Sequence, residues 1–546
     1  SNRWSTVPTR RTVLFVARTM QATSRLIYDV LPLIWEDSRV QAVFTVDATS
    51  HFGEGLQNFL EAHKLPVLEW EYVIDHPDRF DLTVSASANN LSPLPTPLLT
   101  MSHGAGHHKY RVTEDGIDET VSGLSPQQLL TDDGRPIPTR IALGGEEQRR
   151  RLSVQVPSMA PRATVTGDVC LERLQRSRSQ RFRYRRHLGI DPSQRLIFLS
   201  STWGPDALLA RRHDLAAELL SHLPSDEFRV IAAWHPNSWQ RHGHANIAGW
   251  AGPALRAGLM LIPPHEGWRA GLVASDCVIS DHGSVGFYAA AIGKPIVFVG
   301  DSDSETPADS PAAALMGAAP RIADAANMAS QLRLLTSRPA PDYSSITDQA
   351  LTQSASASEN LRALMYELLG LTQSFDPAHL TPVPLPIVDT VANPAHNVYI
   401  NDASEELVVE RFPASDMTHP QESSYAIRVF VVDSVETSHR RRCAASAMVW
   451  TESTLDRMEA DAWSKEVFSE LPGLRLTAAK LTDTEIHIRM RDGDTYIAAP
   501  APTHHLATVA AVVHTELLKG NKAGTIRYRA GNQVQRFQLR SDTGSP

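Results

Sequence analysis

Two short stretches carry side chains whose type and spacing suit the binding of an anion. The first is Asp281-His282-Gly283-Ser284-Val285, inside CVISDHGSVGFYAAAIGKPIVFVG (277–300). An apolar run ends in a small polar loop, and an alanine-rich helical segment begins at once. A helix start presents unpaired backbone N–H groups and a positive dipole end, which suits phosphate. Gly283 permits close backbone approach, and the Ser284 hydroxyl can donate. The ordinary alternative is a capped core helix with no ligand. The second stretch is IAAWHPNS, where His235 follows an apolar run and precedes helix-breaking Pro236. Protonated, or as a neutral donor tautomer, His235 could hold a phosphate oxygen. Ser201 and Thr202 end a third apolar run in RLIFLSSTWG. Three run ends could therefore converge on one cleft.

The elements needed to position these groups are legible. RTVLFVAR, VQAVFTVD, FDLTVSAS and PTPLLTMSHG are short apolar runs of the buried parallel-strand type, alternating with helical stretches. One of these is TSRLIYDVLPLIW, with Thr23 or Ser24 as its expected cap. A second series begins near PRATVTGDV and continues through RLIFLSS, FRVIAAWHP, GLMLIPP, DCVISDHG and KPIVFVG. The alternation predicts α/β units with largely parallel sheets. In such sheets ligands bind at the carboxyl ends of the strands, where the polar loops lie. Residues 1–163 and 164–371 read as two Rossmann-like domains facing a cleft. Residues 372–396 are proline-rich and read as a linker. Residues 397–546 read as an α+β domain of helices and hairpins, one turning at Asp492-Gly493.

The whole chain has 546 residues, 42% apolar and 21% charged, as an ordinary soluble protein of roughly three domains would. Its net charge of −9 argues against non-specific nucleic-acid binding. SNRWSTVPTRRTVLFVARTM runs from basic residues straight into a strand-like segment, so no secretory leader is expected. Cys170, Cys277 and Cys443 fit no disulfide or metal framework, which points to a reducing cytoplasm. His103 and His107 have a usable helical zinc spacing, but Gly104 and Gly106 oppose a helix there, so no metal is expected. Residues 173–186 hold seven arginines. They read first as a solvated helix face, and otherwise as a contact for an anionic acceptor or a membrane surface.

Taken in order, VTGDVCLERL, RYRRHLGI, SSTWGP, His235-Pro236, Asp281 to Val285 and Lys294-Pro295-Ile296 resemble the CDP-glycerol glycerophosphotransferases of teichoic-acid type. LLTMSHGAGHHKYR is similar to that family's His-Gly-Thr-Pro-Leu-Lys segment. Ala105-Gly106 stands where the family has Thr-Pro, and Gly204 where it has arginine. The resemblance implies a GT-B-like pair of Rossmann-type domains and a nucleotide-activated donor, CDP- or UDP-linked, with no separate cofactor. It implies His103 as the base that takes a proton from a hydroxyl acceptor, with Lys109 or Arg111 offsetting phosphate charge. Ser201, Thr202, His235, Asp281, His282, Gly283, Ser284 and Val285 become the donor side. The transferred group would be glycerol phosphate or a sugar. Two other readings fit the same scaffold: a UDP-sugar 2-epimerase-like enzyme and a catalytically degenerate nucleotide sensor. The expected setting is the cytoplasm, with room for contact at the inner membrane face and for homo-oligomers through the C-terminal domain.

Overall fold

The computed structural model describes the chain except residues 1–6, 8, 48–52, 54, 88–90, 92, 93, 95, 114, 115, 301–304, 353, 374–376, 379, 392, 394, 403–405, 415–426, 434–446, 502–504 and 543–546. Cys443 therefore lies outside the described residues. In the first half, β1 (Arg11–Ala17), β2 (Val40–Val46), β3 (Val67–Leu68), β4 (Leu82–Ser85), β5 (Leu98–Met101), β8 (Arg140–Leu143) and β9 (Ala163–Val165) form one parallel sheet, ordered β3-β2-β1-β4-β5-β8-β9. A hairpin of β6 (Tyr110–Thr113) and β7 (Gly116–Val121) stands apart from it. β1 is buried from Val13 to Ala17, as a strand covered on both faces must be. Helix α1 (Met20–Arg25) follows it. Its cap is Thr19, not Thr23 or Ser24: the extended Thr19 accepts from Ala22 N–H at 3.3 Å, so the helix starts earlier and encloses both.

The second half holds α2 (Val169–Arg176), α3 (Arg181–His187), α4 (Pro236–His242), α5 (Trp268–Ala274), α6 (Ser284–Ala291) and α7 (Ala357–Leu369). Its parallel sheet runs β12-β11-β10-β13-β14 and comprises β10 (Arg195–Ser201), β11 (Phe228–Trp234), β12 (Met260–Ile262), β13 (Cys277–Ser280) and β14 (Ile296–Phe298). The two Rossmann-type halves form the expected GT-B-like pair. PRATVTGDV does not open the second sheet. Its strand, β9, pairs in parallel with β8, Ile141 against Ala163, and completes the first sheet. Helix α7 crosses back: Leu361, Leu364, Met365 and Leu369 pack in the same core as Val13, Phe15 and Phe44.

The proline-rich segment is a strap laid against the second half. Arg173 Nε donates to Thr381 O at 3.1 Å, and Tyr184 Oη to Val383 O at 2.7 Å. Val383 is buried in the second core. Asp389 exchanges both backbone hydrogen bonds with Leu261, at 2.8 and 3.0 Å, which covers the free edge of β12.

Beyond the strap, nine strands close a barrel: β15 (Ala395–Asn401), β16 (Leu407–Pro413), β17 (Ile427–Asp433), β18 (Met448–Thr454), β19 (Leu476–Thr482), β20 (Glu485–Met490), β21 (Thr495–Ala499), β22 (Gly524–Ala530) and β23 (Gln533–Ser541). The hairpin about Asp492-Gly493 joins β20 to β21, with Gly493 at φ 105°. Helix α8 (Leu506–Leu518) is buried continuously from Leu506 to Thr515 within the barrel's apolar core. The barrel docks on the second half through Arg411, whose Nη2 meets Asp226 Oδ1 at 2.7 Å while its carbonyl accepts from Ser225 N–H at 2.7 Å. Among the described residues, no helix is long and apolar enough to cross a membrane.

A chain ending at residue 391 keeps the strap, whereas one ending at 372 loses it. At roughly 1 kcal/mol for each of these four hydrogen bonds, the shorter form should be about 4 kcal/mol less stable. Calorimetric melts of the two would check this, and equal transitions would make the strap a passive tether.

Candidate functional site

The carboxyl ends of both sheets face one another. His103 follows β5, and the adjacent β4 leads to Ala86, whose backbone hydrogen-bonds the His103 ring. Across the cleft, β10 delivers Ser201 and Thr202, β11 delivers His235, and β13 delivers Asp281 to Ser284. The halves touch at Gly104 and Ser284. A Cβ on Gly104 would overlap the Ser284 hydroxyl and lie 3.2 Å from its Cβ. This approach places the His103 loop directly against the start of α6.

Each sequence-selected residue has a definite place. Gly283 is the N-cap of α6 without a side-chain cap, and the Ser284 hydroxyl bonds to no other described residue. The first-turn N–H groups thus face the cleft beside a free hydroxyl. The Nδ1 of His235 accepts from Asn237 N–H at 3.1 Å as the cap of α4. That bond leaves the proton on Nε2, so a neutral His235 presents a donor. Burial, then Lys109 and His103, push its pKa well below the ordinary value, which keeps it neutral.

Other members of the set are occupied with holding the loops. Asp281 accepts from Thr202 N–H and Leu208 N–H, each at 2.8 Å, and from Gly283 N–H at 3.0 Å. A carboxylate so engaged shapes the cradle. Ser201 Oγ donates to Thr202 O and accepts from Leu209 N–H, both at 2.9 Å. Val285 packs against the second core. Arg111 pairs with Asp118 at 3.4 Å within the β6–β7 hairpin. Lys109 crosses the cleft to Thr202 Oγ1 at 3.3 Å and Glu305 Oε2 at 3.5 Å. His282 Nε2 meets the same Glu305 oxygen at 3.2 Å. The His282 hydrogen bond, and after it Lys109, hold the Glu305 carboxyl below its usual range against burial.

His103 is open to solvent but stands at the floor of a cleft crowded with protein atoms. That crowding, then Arg25 and Lys109, lower its pKa to about 4 against the Ala86 bond. The ring is neutral at pH 7, the form a base requires. His107 and His108 point elsewhere. His107 Nδ1 bonds Ser122 O at 3.1 Å, and His108 stacks on Phe287 with centroids 5.8 Å apart.

Sequence reasoning missed the groups that lock the halves together. Arg25 Nη2 meets Asp168 Oδ2 at 2.9 Å, and Tyr288 Oη donates to the same oxygen at 3.0 Å. Asp29 receives Arg173 Nη1 at 2.7 Å and Arg269 Nη2 at 3.0 Å. Arg269 also pairs with Glu266. Arg173, read as part of a solvated face, is 1% exposed. Burial alone would lower the Arg25 pKa, but Asp168, Tyr288 and Asp29 raise it. Asp168 had one visible signal, its place before an apolar helix, where it caps α2 by accepting from Leu171 N–H at 2.7 Å. Glu305 sits in GDSDSETPADSP, which has no periodicity to register it.

A cavity of about 510 Å³ lies at the seam between the second half and the barrel, far from these groups in the fold. Its charges, Arg195, Arg333, Glu227 and Glu410, pair with one another, so it reads as a charged seam.

No family model matches the chain, and no curated protein does. Among solved structures it is similar to the wall teichoic acid polymerase TagF in its H548A form, at 12% identity and TM-score 0.45, over 66% of this chain and 90% of that one. It is also similar to Anabaena Alr3699/HepE in complex with UDP-glucose, at 14% identity and TM-score 0.39, over 65% of this chain and 99% of that one.

Two predictions follow from this geometry. Gly104→Ala should lower stability by about 1–3 kcal/mol, and Ser284→Gly should restore much of it, a coupling that a double-mutant cycle in urea measures. His108 is buried, and desolvation first, then Lys109 and His107, lower its pKa from 6.5 to about 3. Its folded form is therefore neutral, so its contribution is complete above pH 6.5 and is lost as pH falls toward 3. His108→Phe should flatten the acid limb of stability by at most about 1.4 kcal/mol per pH unit, as urea titrations across that window would report.

Proposed function

We propose that this protein is a transferase that moves a glycerol-phosphate or glycosyl group from a nucleotide-activated donor to a hydroxyl acceptor. The observation that carries the reading is the contact of Gly104 with Ser284. It sets a neutral histidine of one half beside the open helix start of the other. The α6 N–H groups, the Ser284 hydroxyl and His235 Nε2 would bind the donor's phosphates. His103, with one ring nitrogen bonded to the Ala86 backbone, would take the acceptor's proton on the other. The freed oxygen would then attack the donor's distal phosphorus and release the nucleoside monophosphate. With a sugar donor it would attack the anomeric carbon and release the diphosphate. A pKa near 4 makes His103 by itself a weak base. A bound phosphate's negative charge would raise that pKa toward the working pH. Lys109, paired with Glu305, is the cation a donor would draw away, and His282 stands beside it on the same carboxylate.

Calorimetry with CMP, UMP, CDP-glycerol and UDP-sugars identifies the donor class. Transfer requires nucleotide release only when an acceptor is present. UDP-sugar consumption without an acceptor would favour the epimerase reading, and binding without turnover would favour the sensor. His103→Ala should lower turnover by roughly 10²–10⁴ with donor affinity nearly intact. His235→Ala should weaken donor binding itself. Loss of donor affinity alone in both variants would overturn the division of roles.

A further inference from the structure

The arginine-rich stretch divides in two. Arg173 is buried against Asp29, and Arg185 against Asp276 at 2.8 Å. Arg181 pairs with Asp276, and Arg176 with Glu172. Those bonds engage Glu172 and Asp276. Arg178, Arg183 and Arg186 remain exposed and have no ion-pair partner among the described residues. On α3, Tyr184 and Arg185 face inward while Phe182, Arg183, Arg186 and His187 face outward. Phe182 is 67% exposed and lies one turn from Arg186. In the neighbouring row, His187 Nε2 bonds Pro386 O of the strap at 3.0 Å, which brings the next strap residue, Ile387, alongside. Ile387 is 74% exposed. Two exposed apolar side chains thus stand on one surface among three free guanidinium groups, on a chain whose net charge is −9.

We propose that this face of α3 and the strap docks on an anionic lipid bilayer. The charge sign selects the partner: the chain as a whole is repelled by an anionic surface, so attraction must come from a local cationic patch. The apolar residues select bilayer over nucleic acid. Phenylalanine and isoleucine can enter the interface between headgroups and chains, whereas an isoleucine gives a base no ring to stack on. Arg181 and Arg185 bind Asp276, the residue just before β13. The patch therefore sits at the amino edge of the second sheet, opposite the edge that carries His235 and Ser284. Docking there leaves the cleft free and assumes nothing about its reaction.

Sedimentation of the full chain with vesicles tests the idea. Vesicles of phosphatidylcholine with one-third phosphatidylglycerol should bind the protein, salt should release it, and phosphatidylcholine alone should not bind it. Arg178→Ala, Arg183→Ala and Arg186→Ala together should weaken partitioning by roughly 100-fold. These side chains are exposed and unpaired, so the variant keeps its fold. Phe182→Ala with Ile387→Ala should weaken it by roughly tenfold or more. Absence of partitioning, equal binding to neutral vesicles, or an unaffected triple-arginine variant would overturn the proposal. So would RNA binding that is lost with the arginines while the apolar pair has no effect on vesicle binding.

Discussion

The buried charge lattice between the halves is the interaction on which the rest of the structure depends. Arg25 and Asp29 come from the first half, and Asp168, Arg173, Glu266 and Arg269 from the second half and its approach. Three positive and three negative groups balance. Breaking such a lattice by removing one partner typically costs about 3–5 kcal/mol, because the remaining charge stays buried and unpaired. Its geometry reaches the cleft through Tyr288, which sits in the middle of α6 and donates to Asp168. The helix that begins at Ser284 is thereby tied to α1 of the opposite half. With α6 fixed there, the His103 loop can approach only with a residue that lacks a Cβ, so Gly104 follows from the lattice.

Other ties act in the same direction. Helix α7 leaves the second half and buries its apolar face in the first core, so the chain spans the cleft a second time. The strap then seals the edge of β12, and Arg411 clamps the barrel against the loop before β11. The second half is held on both sides. Motion between halves must therefore work against charge pairs at their centre and an apolar helix at their rim. Lys109 is a looser link, shared between Thr202 and Glu305 at longer distances, and it is positioned to exchange partners first.

The parallel sheets were legible because their strands are covered on both faces and read as unbroken apolar runs, such as VLFVA and CVIS. The strand-end loops were legible for the same reason, since polarity resumes where burial stops. Roles within those loops were not. Asp281 and Ser201 have the chemistry of ligand-binding groups, and only the backbone N–H groups around them reveal that they organise the turns. The charge lattice was invisible because its members come from separate elements, and a buried arginine such as Arg173 has the same letter as its exposed neighbours. The closed barrel was hidden for a topological reason. Hairpins β20–β21 and β22–β23 are local and carry turn signals, but β16 meets β22 in parallel across a long stretch of chain, and β17 meets β18 in parallel rather than as a hairpin.

That parallel closure also sets an order of assembly. Strands β16 and β21 become neighbours only through β22 and β23, both later in the chain, which fill the gap between them. Helix α8 is buried from Leu506 to Thr515 and precedes those strands. It must therefore be seated while the wall is still open. During synthesis, the inner faces of seven strands wait for a segment that is made after all of them. Contacts of such long sequence separation form slowly, and the open sheet exposes unpaired edges meanwhile. The barrel is thus the late-forming, aggregation-exposed part of the chain, while the two halves, whose cores are complete once the strap is laid down, can mature ahead of it.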